Sequence, residues 1–131
     1  MCIKLINQVL QKVAVMMSIK TRQIDCKTIV EIPCTTINLD NIKDFSDEVY
    51  EIIRQTQGNV VLDLGHVESI DSRALGFIVS LHKRCIYEGS KLSLLSVRPS
   101  VMYLLTITRF DSILDIYNDE NQFMEVVKTS A

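Results

Sequence analysis

The sequence has no tryptophan, only two histidines, and four residues each of phenylalanine, tyrosine, glycine and cysteine in 131 positions. Each shortage excludes something. Cys2, Cys26, Cys34 and Cys85 contain no C-x-x-C pair, and His66 and His82 add no ligand spacing to them, so neither a metal site nor a disulfide framework is predicted. A domain of this length needs no such staples, and free thiols point to a reducing cytoplasm. The glycines Gly65, Gly76 and Gly89 stand apart as turn, packing and helix-stop positions. No phosphate-cradling or dinucleotide-binding glycine loop is present. Lysine and arginine are scattered over a chain of net charge −2, which removes the footprint of a protein that binds nucleic acid directly. Lys4, Asn7, Gln8, Gln11 and Lys12 interrupt the apolar N-terminal stretch, so no membrane span or signal segment is predicted there.

What is present is an aliphatic composition, 47% hydrophobic and 23% charged, which is enough for one domain with a single core. Residues 1–17 read as an extension and residues 18–131 as the domain. In the extension Leu5, Val9, Leu10 and Val13 share a helical face suited to packing on the domain or on a partner, while Met16 or Met17 is an alternative start of translation.

The domain reads as alternating strands and helices. Ser18–Ile24 and Thr28–Ile32 form a hairpin across Asp25-Cys26-Lys27. Asp40 is the expected cap of a helix carrying Ile42, Phe45, Val49, Ile52 and Ile53 at helical spacing. Asn59–Leu64 is apolar enough for a central parallel strand that carries Asp63 within it. Ser72 then caps a helix with Leu75, Ile78, Leu81, Cys85 and Ile86 at helical spacing and Gly89 at its stop. A strand follows over Lys91–Val97, then a helix opened by Pro99 with Val101, Leu104, Leu105 and Ile107. A last strand spans Ile113–Tyr117, and Asp119 with Gln122 makes a capping box for a closing helix through Phe123, Val126 and Val127. The pattern predicts an α/β fold: a mixed, mostly parallel sheet of about five strands with about four helices. Its strand-to-helix loops, His66–Asp71 and Arg98–Pro99, fall on the sheet edge where such folds meet ligands and partners.

No segment supplies a nucleophile with its base, a carboxylate pair or a metal set at diagnostic spacing, so no enzymatic activity and no cofactor is predicted. Asp63, His66 and Ser72 are residue types of a triad, but G-x-S-x-G is absent. The feature with most promise is Ser69-Ile70-Asp71-Ser72-Arg73-Ala74-Leu75-Gly76, where a serine stands at a helix start. Its oxygen can cap free N–H groups or remain open to a partner or a kinase. Asp71 can hold the turn, offer a second capping oxygen, or mark the site for a kinase.

Val61-Leu62-Asp63-Leu64, then Ile70-Asp71-Ser72, then Leu75-Gly76 resembles the STAS domain of bacterial anti-sigma-factor antagonists. The likeness continues through Gly89-Ser90-Lys91-Leu92, Pro99-Ser100-Val101 and Arg109–Tyr117, over roughly residues 18 to 129. It implies a partner-switching protein. The serine at Ser72 would be phosphorylated by a serine kinase that is also the anti-sigma factor, and a phosphatase would restore the free hydroxyl. The contact surface it implies is Asp71, Ser72, Arg73, Ala74, Gly76 and Phe77. Arg73 and Ala74 stand where the family has Ser or Thr and then Gly, and Pro33-Cys34-Thr35-Thr36 replaces its Gly-Glu-Leu-Asp. The alternative is a STAS interaction module in a transport or signalling assembly, with Ser72 only a cap.

Overall fold

The computed structural model describes residues 19–130. The extension, Cys2 and the side chains of Val126 and Val127 lie outside the described residues. The described part begins with a hairpin, β1 (Lys20–Ile24) and β2 (Lys27–Glu31), antiparallel with Ile24 opposite Lys27. Its turn is therefore Asp25-Cys26 alone, tighter than expected, with Asp25 in the left-handed region at φ 54°. Next come the short β3 (Thr36–Ile37), α1 (Leu39–Gln55) and β4 (Val60–Asp63). These are followed by β5 (Ser69–Ile70), α2 (Ser72–Tyr87), β6 (Ser93–Leu95) and α3 (Pro99–Ile107). A 3-10 turn at Phe110–Ser112, β7 (Asp115–Tyr117) and α4 (Glu120–Ser130) complete the described chain.

The main sheet has the order β1-β2-β4-β6-β7 and is parallel except for the hairpin. As expected, Val60–Asp63 is the central strand. Alternation along it feeds two cores: Val60 and Leu62 face α1, α2 and α3, whereas Val61 packs with Ile29, Leu95 and Phe123 of α4. Tyr117 meets Phe123 edge-on at 5.3 Å between centroids.

Both long helices end in the same way. After α1, Gly58 N–H donates to Ile53 O and Gln57 N–H to Arg54 O; after α2, Ser90 N–H donates to Cys85 O and Gly89 N–H to Ile86 O. These are paired Schellman closures, which place their C′ residues Gln57 and Gly89 at positive φ; Gly58, next after Gln57, is at positive φ as well. Pro99 opens α3 at its first turn, as expected. Asp119 Oδ1 accepts from Gln122 N–H, while the Gln122 side chain accepts from Asn118 N–H, one residue earlier than a standard box.

Two expectations need correction here, the cap of α1 and the inward place of Ile86. Asp40 lies inside α1, because Asn38 is the extended residue whose side chain accepts from Asp40 N–H and Asn41 N–H, with Asn41 answering at Asn38 N–H. Ile86 is 56% exposed, because His82 completes the inner stripe of α2 in its place. Ile107, at the last position of α3, is 57% exposed.

Cys85 is buried, and burial pushes its thiol up to about 11, so it packs as a small hydrophobe. His82 is also buried, with Nδ1 lacking a hydrogen-bond partner among the described residues. Burial first, then the nearby Lys91 charge, lowers its pKa. On acidification the unfolded chain therefore takes up this proton before the folded one, and stability falls as pH drops below the ordinary histidine value of about 6.5. His82→Leu should flatten that part of the profile and be at least as stable at neutral pH, since it removes an unsatisfied polar atom. Urea midpoints for both chains between about pH 7 and about pH 5 measure this; parallel profiles would exclude His82 as the cause.

Candidate functional site

The turn before α2 is fastened on every side by short-range chemistry. Asp63 Oδ1 accepts from Gly65 N–H at 2.9 Å and Leu64 O from Val67 N–H at 3.0 Å, which folds the chain back after β4. Thr35 O then accepts from both Glu68 N–H and Ser69 N–H, at 2.7 and 3.2 Å. β5 pairs with β3 as a separate two-stranded parallel sheet, with Ile37 opposite Ile70, and Asp71 N–H donates to Ile37 O. From the other side Arg98 Nε donates to Gly65 O at 2.7 Å, and the Ser100 hydroxyl donates to Glu68 O. The loops expected on this edge, His66–Asp71 and Arg98–Pro99, are thus in direct contact.

On this base α2 begins. Asp71 is its N-cap: the residue is extended, φ −96° and ψ −179°, and Oδ1 accepts from Ala74 N–H at 2.8 Å. The expectation that Ser72 caps the helix is corrected. Ser72 is its first residue, exposed, and its hydroxyl makes no hydrogen bond among the described residues. Among the described residues neither the Ser72 nor the Arg73 N–H has an acceptor, so the helix offers two open donors and the positive end of its dipole beside the Ser72 oxygen.

The remaining expected contacts divide. Arg73 is exposed without an ion pair among the described residues, and Gly76 is exposed with open space where a Cβ would stand. Ala74 is fully buried, so the expectation that it touches a partner is corrected; it packs beneath the site because its position points into the core stripe of α2. Phe77 is half-buried, held edge-on by Phe45 at 5.9 Å and Tyr50 at 6.1 Å, so only part of its ring is available.

Asp63 and His66 are not brought to Ser72. Asp63 turns the loop and lies 3.9 Å from Arg22, and His66 Nε2 meets Glu31 Oε1 at 2.9 Å. No triad forms. Among the described residues no group of His, Cys, Asp and Glu is placed to hold a metal ion, and no helix is long and apolar enough to cross a membrane.

Because the capping oxygen belongs to Asp71, the two neighbours should separate cleanly in stability. Asp71→Ala should lower unfolding free energy by about 1 kcal/mol, and Ser72→Ala should change it by less than about 0.5 kcal/mol. Urea denaturation of the two variants checks this; equal losses would return the cap to Ser72.

A mostly parallel sheet covered by helices on both faces, with an exposed serine at the start of a helix capped by its neighbour, defines a small α/β domain. The STAS-domain family model matches residues 18–123, and the chain belongs to that family. A Thermotoga maritima protein named "Putative anti-sigma factor antagonist" is 32% identical over 101 residues, 76% of this chain and 89% of that protein. The crystal structure of a protein so named from the same organism superposes with a TM-score of 0.75 at 27% identity, covering 88% of this chain and 98% of that one. An anti-sigma-factor antagonist (STAS) domain protein from Planctomyces limnophilus shares the fold with a TM-score of 0.75 at 19% identity, over 82% of this chain and 96% of that one.

Proposed function

We propose that this chain is an anti-sigma factor antagonist of the partner-switching kind, with Ser72 as its phosphoacceptor. Unmodified, the domain docks an anti-sigma factor through the start of α2. That same partner, acting as a serine kinase, transfers the γ-phosphoryl group of ATP to Ser72 Oγ; the hydroxyl proton leaves, ADP is released and the complex separates. A phosphatase resets the switch by hydrolysis. The domain contributes no catalytic group of its own.

One observation carries the reading: the Ser72 oxygen is exposed and unbonded while Asp71 does the capping. A phosphate there leaves the helix start intact, and the open N–H groups of Ser72 and Arg73 favour its charge. The names of the relatives support the anti-sigma factor as partner. Exposed Arg73 and Gly76 beside Ser72 give the docking surface a cation and a position of close approach.

The direct test is to incubate the full chain with ATP and the serine kinases that act as anti-sigma factors in its own organism, then locate phosphate by mass spectrometry. Phosphate on Ser72, lost in Ser72→Ala, is the expected result. Phosphate found only at another residue would overturn the assignment.

A further inference from the structure

The outward faces of α1 and α2 carry opposite charge. α1 contains Asp40, Asp44, Asp47, Glu48 and Glu51 against Lys43 and Arg54, whereas α2 contains Arg73, Lys83 and Arg84 and no carboxylate. Asp40, Asp44 and Asp47 are exposed at helical spacing along one ridge, and Arg73, Gly76, Ser80, Lys83 and Tyr87 are exposed along the other. The ridges do not neutralise each other within the protomer, because among the described residues no ion pair joins α1 to α2.

The two helices also start level. β3 and β5 pair with Ile37 opposite Ile70, so the caps Asn38 and Asp71 lie side by side, and both helices then run away from the same sheet edge. Asp40 therefore stands at the height of Arg73, Asp47 at that of Ser80, and Lys83 between the heights of Asp47 and Glu51. A two-fold axis running along the helices, between them, lays each acidic ridge on the basic ridge of a second copy at matching heights. Asp40 meets Arg73 of the second copy and Asp47 meets Lys83, twice over by symmetry. Gly76 and Ser80, between the cations, let the backbones approach closely.

We infer that this face is a self-association surface whose occupant is a second copy of this chain, held by reciprocal charge between α1 and α2. Its size sets the strength. Two helices about 25 Å long and about 10 Å wide bury about 500 Å² per copy, or about 1,000 Å² in total, the lower bound for a specific interface. The dimer is therefore weak and reversible, and sensitive to salt. It covers Ser72 and Gly76, so self-association and any docking at the start of α2 exclude one another. The inference does not depend on phosphorylation at Ser72.

Sedimentation equilibrium of the full chain tests it. At about 0.01 M salt a monomer–dimer equilibrium is expected, and at about 1 M salt, where the Debye length falls from about 30 Å to about 3 Å, the monomer alone. Lys83→Glu and Asp47→Lys should each weaken self-association at least about tenfold. An equal mixture of the two variants should form a heterodimer about as readily as wild type associates, because each reversed charge then meets its opposite. A chain that stays monomeric at both salts would refute the inference. So would a dimer indifferent to both reversals, which would place the contact elsewhere, for instance on the exposed Tyr103, Ile107 and Ile113, or a mixture that fails to associate. If either variant fails to fold by circular dichroism, the salt dependence of the wild-type chain decides.

Discussion

Ser72→Asp should bind the anti-sigma factor about a hundredfold more weakly than wild type, close to 3 kcal/mol, with its urea midpoint unchanged. Both halves follow from the geometry. Stability is spared because the hydroxyl takes no part in capping or packing, and a negative charge at the first residue of a helix is favoured by the dipole. Binding suffers because a surface that accepts a neutral hydroxyl must desolvate a charge with no partner, at a cost of several kcal/mol. Ser72→Ala should bind as wild type does and resist the kinase. The aspartate carries one charge, whereas the phosphate carries about 1.5 to 2, so the variant gives the smaller effect. Arg73 moderates it: its guanidinium is adjacent and free of ion pairs among the described residues, and can take up part of the new charge. In Arg73→Ala the loss caused by Ser72→Asp should therefore deepen. Titration calorimetry of wild type, the three single variants and the Arg73→Ala/Ser72→Asp double variant measures this, and equal affinity in wild type, Ser72→Ala and Ser72→Asp would dismiss a phosphorylation switch.

Gly58→Ala should be the most damaging of the glycine substitutions, lowering stability by about 2 to 4 kcal/mol. Gly58 closes α1 with φ +81°, and a Cβ there would stand 2.9 Å from Cys85 O and 3.2 Å from Cys85 Cα. The left-handed backbone alone costs an alanine about 1 to 2 kcal/mol. The clash is with the main chain of α2, which cannot rotate aside. Two other glycines serve as controls. Gly89, at φ +93° in open space, has the conformational cost without the clash, and Gly76, inside α2 with nothing near its missing Cβ, has neither. Gly89→Ala should lose about 1 kcal/mol, and Gly76→Ala should gain about 0.5 to 1 kcal/mol because alanine is the better helix former. Urea midpoints of the three variants give the order directly. A Gly58→Ala chain within about 1 kcal/mol of wild type would show that the ends of α1 and α2 can separate.

The periodic parts of the fold were legible. Phe45, Val49, Ile52 and Ile53 fall on the buried face of α1, and Leu75, Ile78, Leu81 and Cys85 on that of α2, because spacing alone assigns a helical face. The hairpin, the central strand, Pro99 and Gly89 carry equally local signals. The starts of α1 and α2 lie two and one residues before their expected positions. Asn38 and Asp40, or Asp71 and Ser72, all bear an oxygen able to cap, and only the backbone angles decide which one does. β3 and β5 have two residues each, too few to show a period, yet they set where α2 begins. Gly58 escaped because its constraint comes from Cys85, a residue 27 positions away in the sequence.

Order of elements, the two apolar faces of the central strand and the Asp71-Ser72 step at a helix start are properties of neighbouring residues, and the chain alone determined them. Which oxygen caps and which stays free, that Ala74 lies beneath the surface, that Asp63 and His66 turn away to Arg22 and Glu31, and that an acidic and a basic ridge start level were decided by tertiary structure. Each depends on groups distant in sequence being brought within hydrogen-bonding or van der Waals range, and a one-dimensional pattern carries no record of those distances.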